Sequence, residues 1–223
     1  MSEWGEIAKQ EQANYKHRTL EEIKASKNHI VQWLLEIDDK ANKFLLEVGC
    51  GSGIYMLDDL TMGFKLVRGI ELDSDAVKIA LENNLLVIEG DMKKMPYVQE
   101  TFDIVTAPGS IEHFPETELA LQEINRVLKH GGLLLLNVPY RNSFFVVVKK
   151  IQQALGVWRC GYEKSFSKKK LISLLEKNGF EVLDVDYSEI EIGTRHPYLT
   201  RCLRFLDRII NGGHMIWVKA KKI

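Results

Sequence analysis

Three acids and a run of glycines in the first half of the chain stand where they could hold one ligand between them. Glu47 ends a short apolar run, Phe44-Leu45-Leu46, and is followed by Gly49, Gly51 and Gly53. An apolar run of strand length that feeds a Gly-rich turn and then a helix is how open α/β sheets hold nucleotide cofactors. Glycine supplies positive φ and lets a ligand lie against the main chain. Glu47 at the mouth of the turn would repel a pyrophosphate and would suit a ligand carrying an ammonium group. The spacing agrees, since a dinucleotide turn counted from Gly49 needs a glycine at position 54, where Ile54 stands. Glu71 follows at about the distance at which an acid meets a ribose, and two carboxylate oxygens can accept both ribose hydroxyls. Asp73 competes for that role, but Asp73-Ser74-Asp75 precedes an amphipathic run and reads as a helix N-cap. Asp91, in Gly90-Asp91-Met92, is by itself an Asx-turn residue or a ligand acid.

The elements that must position these groups can be read from periodicity. Ile7 to Ile37 reads as helix, with Ile23, Ile30, Leu34 and Ile37 at helical spacing. Phe44 to Val48 is the first strand, Ile54 to Leu60 a short helix bearing Asp58 and Asp59, and Lys65 to Asp73 the second strand. Leu85 to Met92 gives a third strand and Phe102 to Val105 a fourth, whose end carries Ala107-Pro108-Gly109 and then Glu112-His113. A helix over Glu116–Lys129 leads through Gly131, read as its C-cap, to a fifth strand ending at Pro139. Ser143–Leu155 reads as an amphipathic helix, Gly156–Lys164 as a loop, and a further helix starts at Ser167. Phe180–Tyr187 and His214–Lys221 are the last strands, with a helix over Tyr198–Ile210 between them.

The Glu-x-Gly-x-Gly-x-Gly turn resembles motif I of the class I S-adenosylmethionine (SAM)-dependent methyltransferases. Glu71, Gly90-Asp91-Met92, Phe102-Asp-Ile-Val105 and the paired glycines at 131 and 132 extend that resemblance over Phe44 to Leu136, in the small-molecule, type 11-like branch. It implies a Rossmann-like α/β fold: a seven-stranded, mostly parallel sheet, its last strand antiparallel, with helices on both faces. It implies SAM as cofactor, with binding residues Glu47, Gly49, Cys50, Gly51 and Gly53 in the turn and Glu71 and Leu72 at the ribose. Asp91 and Met92 would meet the adenine, Ala107 and Pro108 would lie at the end of the fourth strand, and Tyr15 would come from an N-terminal arm. Of the histidines, His113 is the one that the motif sets near the cofactor, either as a catalytic base or as a residue that holds its loop. The activity implied is transfer of a methyl group to an O, N or C atom of a small-molecule acceptor. A non-catalytic SAM-fold binding protein and, further off, an NAD-dependent oxidoreductase are the alternatives. No Asn-Pro-Pro-Tyr-type tetrapeptide follows the fourth strand, which weakens a reading as an amino-methylating enzyme on bases or glutamine.

Length and composition fit one domain over residues 1–223. Residues 1–40 would form the arm, and 140–165 and 191–212 the variable cap segments that shape an acceptor pocket or make a homodimer contact. Lys+Arg 30 against Asp+Glu 31 leaves a net charge of −1, so nothing global argues for a nucleic-acid partner. Cys50, Cys160 and Cys202 have neither disulfide nor zinc spacing, and no metal is expected. A polar start and the lack of an apolar run of membrane-span length make the cytoplasm the expected location.

Overall fold

In the computed structural model the described residues are 1–156, 158, 161–188 and 213–223, and the expected helix over 198–210 lies outside them. Among the described residues seven strands make one sheet in the order β3-β2-β1-β4-β5-β7-β6. The strands are β1 Phe44–Val48, β2 Leu66–Glu71, β3 Val87–Glu89, β4 Phe102–Pro108, β5 Leu128–Pro139, β6 Phe180–Ser188 and β7 Met215–Lys222. β1 runs parallel to β2 and β4, β2 to β3, and β4 to β5. β7 is antiparallel to both β5 and β6. The chain order reverses between β1 and β4, the switch point outside whose strand ends ligands gather in open α/β sheets.

Apolar side chains bury both faces. Leu46 and Val48 of β1 face one core with Leu134, Leu136 and Val138 of β5. Leu45 faces the other with Ile104, Leu135 and Trp217. Side chains alternate along a strand, so Glu47 falls on the same face as Leu45. There it pairs in register with Thr106 of β4, under α3 (His29–Leu35) and α4 (Ile54–Thr61).

Two expected elements take a different form. The single helix over 7–37 is three: α1 Glu3–Asn14, α2 Leu20–Lys24 and α3. Tyr15 leaves the helix with extended φ and ψ of −72° and 127°. Thr19 and Glu22 then close a reciprocal capping box, and the Asn28 side chain caps α3 through Val31 N–H. These caps satisfy the free N–H groups of new helix starts and so divide the run. Gly131 is not a C-cap. The helix before it, α6 (Thr117–Val127), ends with Leu128 as its cap, and β5 starts there. Phe102 pairs with Leu128 and Ile104 with Leu133, so residues 129–132 are a bulge, and the φ of +75° at Gly131 serves its bend. The remaining helices are α5 Ser74–Glu82, α7 Phe144–Ala154 and α8 Lys168–Lys177.

Candidate active site

A cavity of about 310 Å³ lies at the C-terminal ends of β1, β2 and β4. Its floor is the Gly-rich turn. Gly49 has φ +68° and its Hα side lies so close to Ser110 that a Cβ would stand 2.6 Å from the Ser110 Cβ. At Gly51, φ +53°, a Cβ would point into space with only Glu11 Oε2 at 4.0 Å. Gly53, φ +77°, is the N-cap of α4 and a Cβ there would run into Leu85 Cδ1 at 2.3 Å. The turn is braced by Glu71, whose two oxygens accept from Gly51 N–H and Asp73 N–H, each at 2.9 Å. A carboxylate oxygen has two lone pairs, so each keeps one for a ligand.

Of the residues expected to bind a cofactor, Glu47, Gly49, Cys50, Gly51, Glu71, Leu72, Met92 and Pro108 line this cavity, as does His113. Gly53, Asp91, Ala107 and Tyr15 are not among its lining residues. Gly53 points away to Leu85. Asp91 closes an Asx turn on Lys93 N–H at 2.8 Å, with Lys93 Nζ at 3.7 Å from its other oxygen. Ala107 is fully buried in the strand below Pro108. Tyr15 hydrogen-bonds Asp58 at 3.0 Å and holds the foot of the arm instead of touching the cavity.

Other lining residues come from the arm. Trp4, Ile7, Ala8 and Glu11 of α1 roof the cavity. α1 buries only Gly5 and Ala8, and polar contacts do the rest: Ser2 N–H to Asp75 and Gln12 to Asn83. Asp73 lines the cavity and also caps α5 through Asp75 and Ala76 N–H, as its sequence position suggests. Ser110 and Phe114 complete the wall after β4.

The electrostatics are one-sided. Glu11, Glu47, Glu71 and Asp73 line the cavity, and among the described residues no Lys or Arg does. Glu47 is 1% exposed and neither of its carboxylate oxygens has a hydrogen-bond partner. Loss of solvent, then the charges of Asp59 and Asp58, hold its carboxyl well above the usual carboxylate range. Asp59, also buried, is raised by the same loss of solvent and by Asp58. Asp58 takes the compensating charge: Arg18 binds both its oxygens, with Tyr15 OH on one of them. An unpartnered buried carboxyl aimed into a cavity that offers open space at Gly51 fits a cationic, hydroxyl-bearing nucleoside. SAM is such a ligand. The turn glycines, Glu47 and Glu71 would hold it.

Beyond β4, His113 Nδ1 lies 2.9 Å from Tyr162 O. A carbonyl only accepts, so Nδ1 carries a proton, and in the neutral ring Nε2 keeps its lone pair. The Trp4 ring stands edge-on to His113 at 5.0 Å. Behind it Glu112 is 2% exposed with Oε2 unpartnered, near Lys149, which gives its charge to Glu163 Oε1 at 2.6 Å. Burial pushes the Glu112 carboxyl up to about 8. The folded protein therefore holds a proton that the unfolded chain releases above pH 4.5, and stability falls as pH rises from there to about 8. Glu112→Gln should remove that fall. Its melting temperature should match the wild type near pH 5 and exceed it by pH 9, by an equivalent of about 4 kcal/mol. Calorimetric scans across that range check it, and parallel curves for the two proteins would refute it.

The methyltransferase domain family model matches residues 46–136. The sterol 4-C-methyltransferase strm-1 of Caenorhabditis elegans is 31% identical over 186 residues, 78% of this chain and 54% of that protein. The chloroplastic 2-methyl-6-phytyl-1,4-hydroquinone methyltransferase 1 of Oryza sativa subsp. japonica is 38% identical over 76 residues, 34% of this chain and 23% of that protein. The chain thus spans about half of the first relative's length and under a quarter of the second's. A SAM-dependent methyltransferase from Archaeoglobus fulgidus has the same fold, with a TM-score of 0.66 at 18% identity over 97% of this chain and 99% of that one. Domain match, sheet order and cavity chemistry agree: residues 46–136 form a methyltransferase domain, set in the fold of the SAM-dependent methyltransferases.

Proposed function

We propose that this protein transfers a methyl group from SAM to a lipophilic small molecule of the sterol or hydroquinone kind. The observation that carries the reading is the cavity at the sheet's switch point, lined by four acids and, among the described residues, by no Lys or Arg. Such a lining favours a sulfonium and an ammonium and disfavours a pyrophosphate, which argues against a nicotinamide cofactor. The names of the two relatives support a lipophilic acceptor.

SAM supplies a methyl group on a sulfonium, electrophilic enough to need no further activation. The chain's own work is to position and to exclude. Glu47 and Glu71 hold the cationic nucleoside from two neighbouring strands. α1 roofs the site and keeps water from it, with Trp4 against His113. His113, its Nδ1–H held by Tyr162 O, would take the proton of a hydroxyl-bearing acceptor on Nε2. His113→Asn should leave SAM affinity within about twofold and lower kcat by about 10²-fold, the lower end of the range for a general base. Stopped assays that count S-adenosylhomocysteine formed on hydroxyl-bearing acceptors check this. A variant as fast as the wild type would leave His113 only its loop.

Isothermal titration with SAM and with NADH tests the cofactor reading directly: binding of SAM alone is expected. Turnover on a panel of sterols and hydroquinones then separates an enzyme from a binding protein that keeps the site without reaction.

A further inference from the structure

The cap between β5 and α8 differs in charge from the rest of the chain. Residues 141–170 contain eight Lys or Arg against one acid, Glu163, a net +7 in a chain whose total is −1. Lys149 is neutralised by Glu163. Arg141, Lys150, Lys168, Lys169 and Lys170 are exposed, with no ion pair among the described residues. In the midst of them α7 turns an apolar face outward. Val147 is 49%, Ile151 55% and Leu155 70% exposed. Four-residue spacing stacks them on one side, and exposed Lys150 and Ala154 share that side.

The topology sets this surface beside the cavity mouth. β5 and β6 are both antiparallel to β7, so they run the same way. α8 precedes β6, and its N-terminal Lys168–Lys170 therefore stands at the C-terminal edge of the sheet. Tyr140, just past β5, pairs there with Phe166. The loop between α7 and α8 supplies the Tyr162 carbonyl to His113, which lines the cavity.

We propose that the outer face of α7 and its flanking lysines dock on an anionic lipid bilayer, presenting the mouth of the cavity to an acceptor dissolved in it. This rests on the methyltransferase reading for its purpose, and not for its geometry. Aliphatic side chains that point outward gain nothing from a nucleic-acid backbone. They gain by entering the boundary between headgroups and acyl chains, and each nearby Lys or Arg adds attraction to an anionic leaflet. A second copy of the chain is disfavoured, because a two-fold contact would set these exposed Lys and Arg side chains against their own copies.

Sedimentation of the full chain with phosphatidylcholine vesicles, with and without about 30 mol% phosphatidylserine, tests this. The partition coefficient should be about 10-fold higher on the anionic vesicles, and this excess should vanish near 0.5 M salt, where screening is nearly complete. Ile151→Glu with Leu155→Glu should lower binding about 10-fold without changing S-adenosylhomocysteine affinity, which reports an intact site. Lys168→Glu, Lys169→Glu and Lys170→Glu together should abolish the preference for phosphatidylserine with the apolar face intact. Equal binding to both vesicles, or wild-type binding by the Ile151/Leu155 variant, would overturn the proposal. So would tighter binding to a DNA duplex that ignores this variant, or a dimer that the variant disrupts. Vesicle binding by a protein that takes no S-adenosylhomocysteine would sink the cofactor reading and leave the docking face standing.

Discussion

Glu47→Gln is expected to weaken SAM binding by about 10³-fold and, in the same molecule, to raise the melting temperature of the ligand-free protein at pH 8. Truncating one partner of a buried charge pair costs about 2–5 kcal/mol, and about 4 kcal/mol is the thousandfold loss expected here. The stability gain follows from the other side of the same balance. Glu47 has lost its solvent, lacks a hydrogen bond and faces the charges of Asp59 and Asp58. Its carboxyl titrates higher in the folded chain than in the unfolded one, so the folded state binds the extra proton. Stability from this group falls as pH rises above the unfolded value of 4.5. Gln carries no charge to desolvate and none for Asp59 and Asp58 to repel. The gain should therefore be small near pH 5 and grow toward pH 8. Titration calorimetry with SAM and melting curves at both pH values decide the matter. Wild-type SAM affinity, or a variant less stable at every pH, would remove Glu47 from the site. Trading stability for a poised, unpaired group is common where function needs it.

The turn from Glu47 to Gly53 was legible because strand, glycines and helix follow one another within a dozen residues, and local sequence decides all three. Asp73 was legible for the same reason: a cap is a local device. The arm was not. Its apolar residues continue one helical period from Ile23 to Ile37, and periodicity alone does not register that Thr19 and Asn28 restart the helix. Glu11 and Trp4 were missed as lining residues because contact with the cavity depends on how α1 returns over the sheet, a non-local matter. Nothing local in a short helix signals that two adjacent acids are buried, yet Asp58 and Asp59 are both nearly inaccessible. What makes that tolerable is Arg18, 40 residues earlier in the chain. Gly131 shows the converse. Its need for positive φ was foreseen, but whether that φ closes a helix or bends a strand depends on the pairing of Ile104 with Leu133.

Arg18→Ala should destabilise the protein by about 3 kcal/mol, the low end of what breaking a buried ion pair costs. For a chain of this length that is a fall of roughly 6–12 °C in melting temperature. The Arg18 side chain is 31% exposed and that of Asp58 only 2%, so the loss falls on the acid. Without the guanidinium, Asp58 keeps only the Tyr15 hydroxyl, beside Asp59 and with Glu47 close enough to feel both charges. Three buried carboxyls would then share one neutral donor. Arg18→Lys should recover only part of the loss, because an ammonium cannot reproduce the two-pronged contact of Arg18 Nε and Nη2 with the two oxygens. The effect should reach the ligand too. Tyr15 and Arg18 anchor the C-terminal end of α1 through Asp58, and α1 otherwise rests on two small buried residues and a few polar contacts. SAM affinity in Arg18→Ala should fall by about 10-fold through loss of a docked roof, while Glu47 and the glycine turn remain in place. Hydrogen exchange should then show residues 3–14 less protected than in the wild type in the presence of SAM. Unchanged melting would mean that Asp58 finds its counter-charge elsewhere; unchanged protection of α1 would mean that the roof does not depend on this anchor.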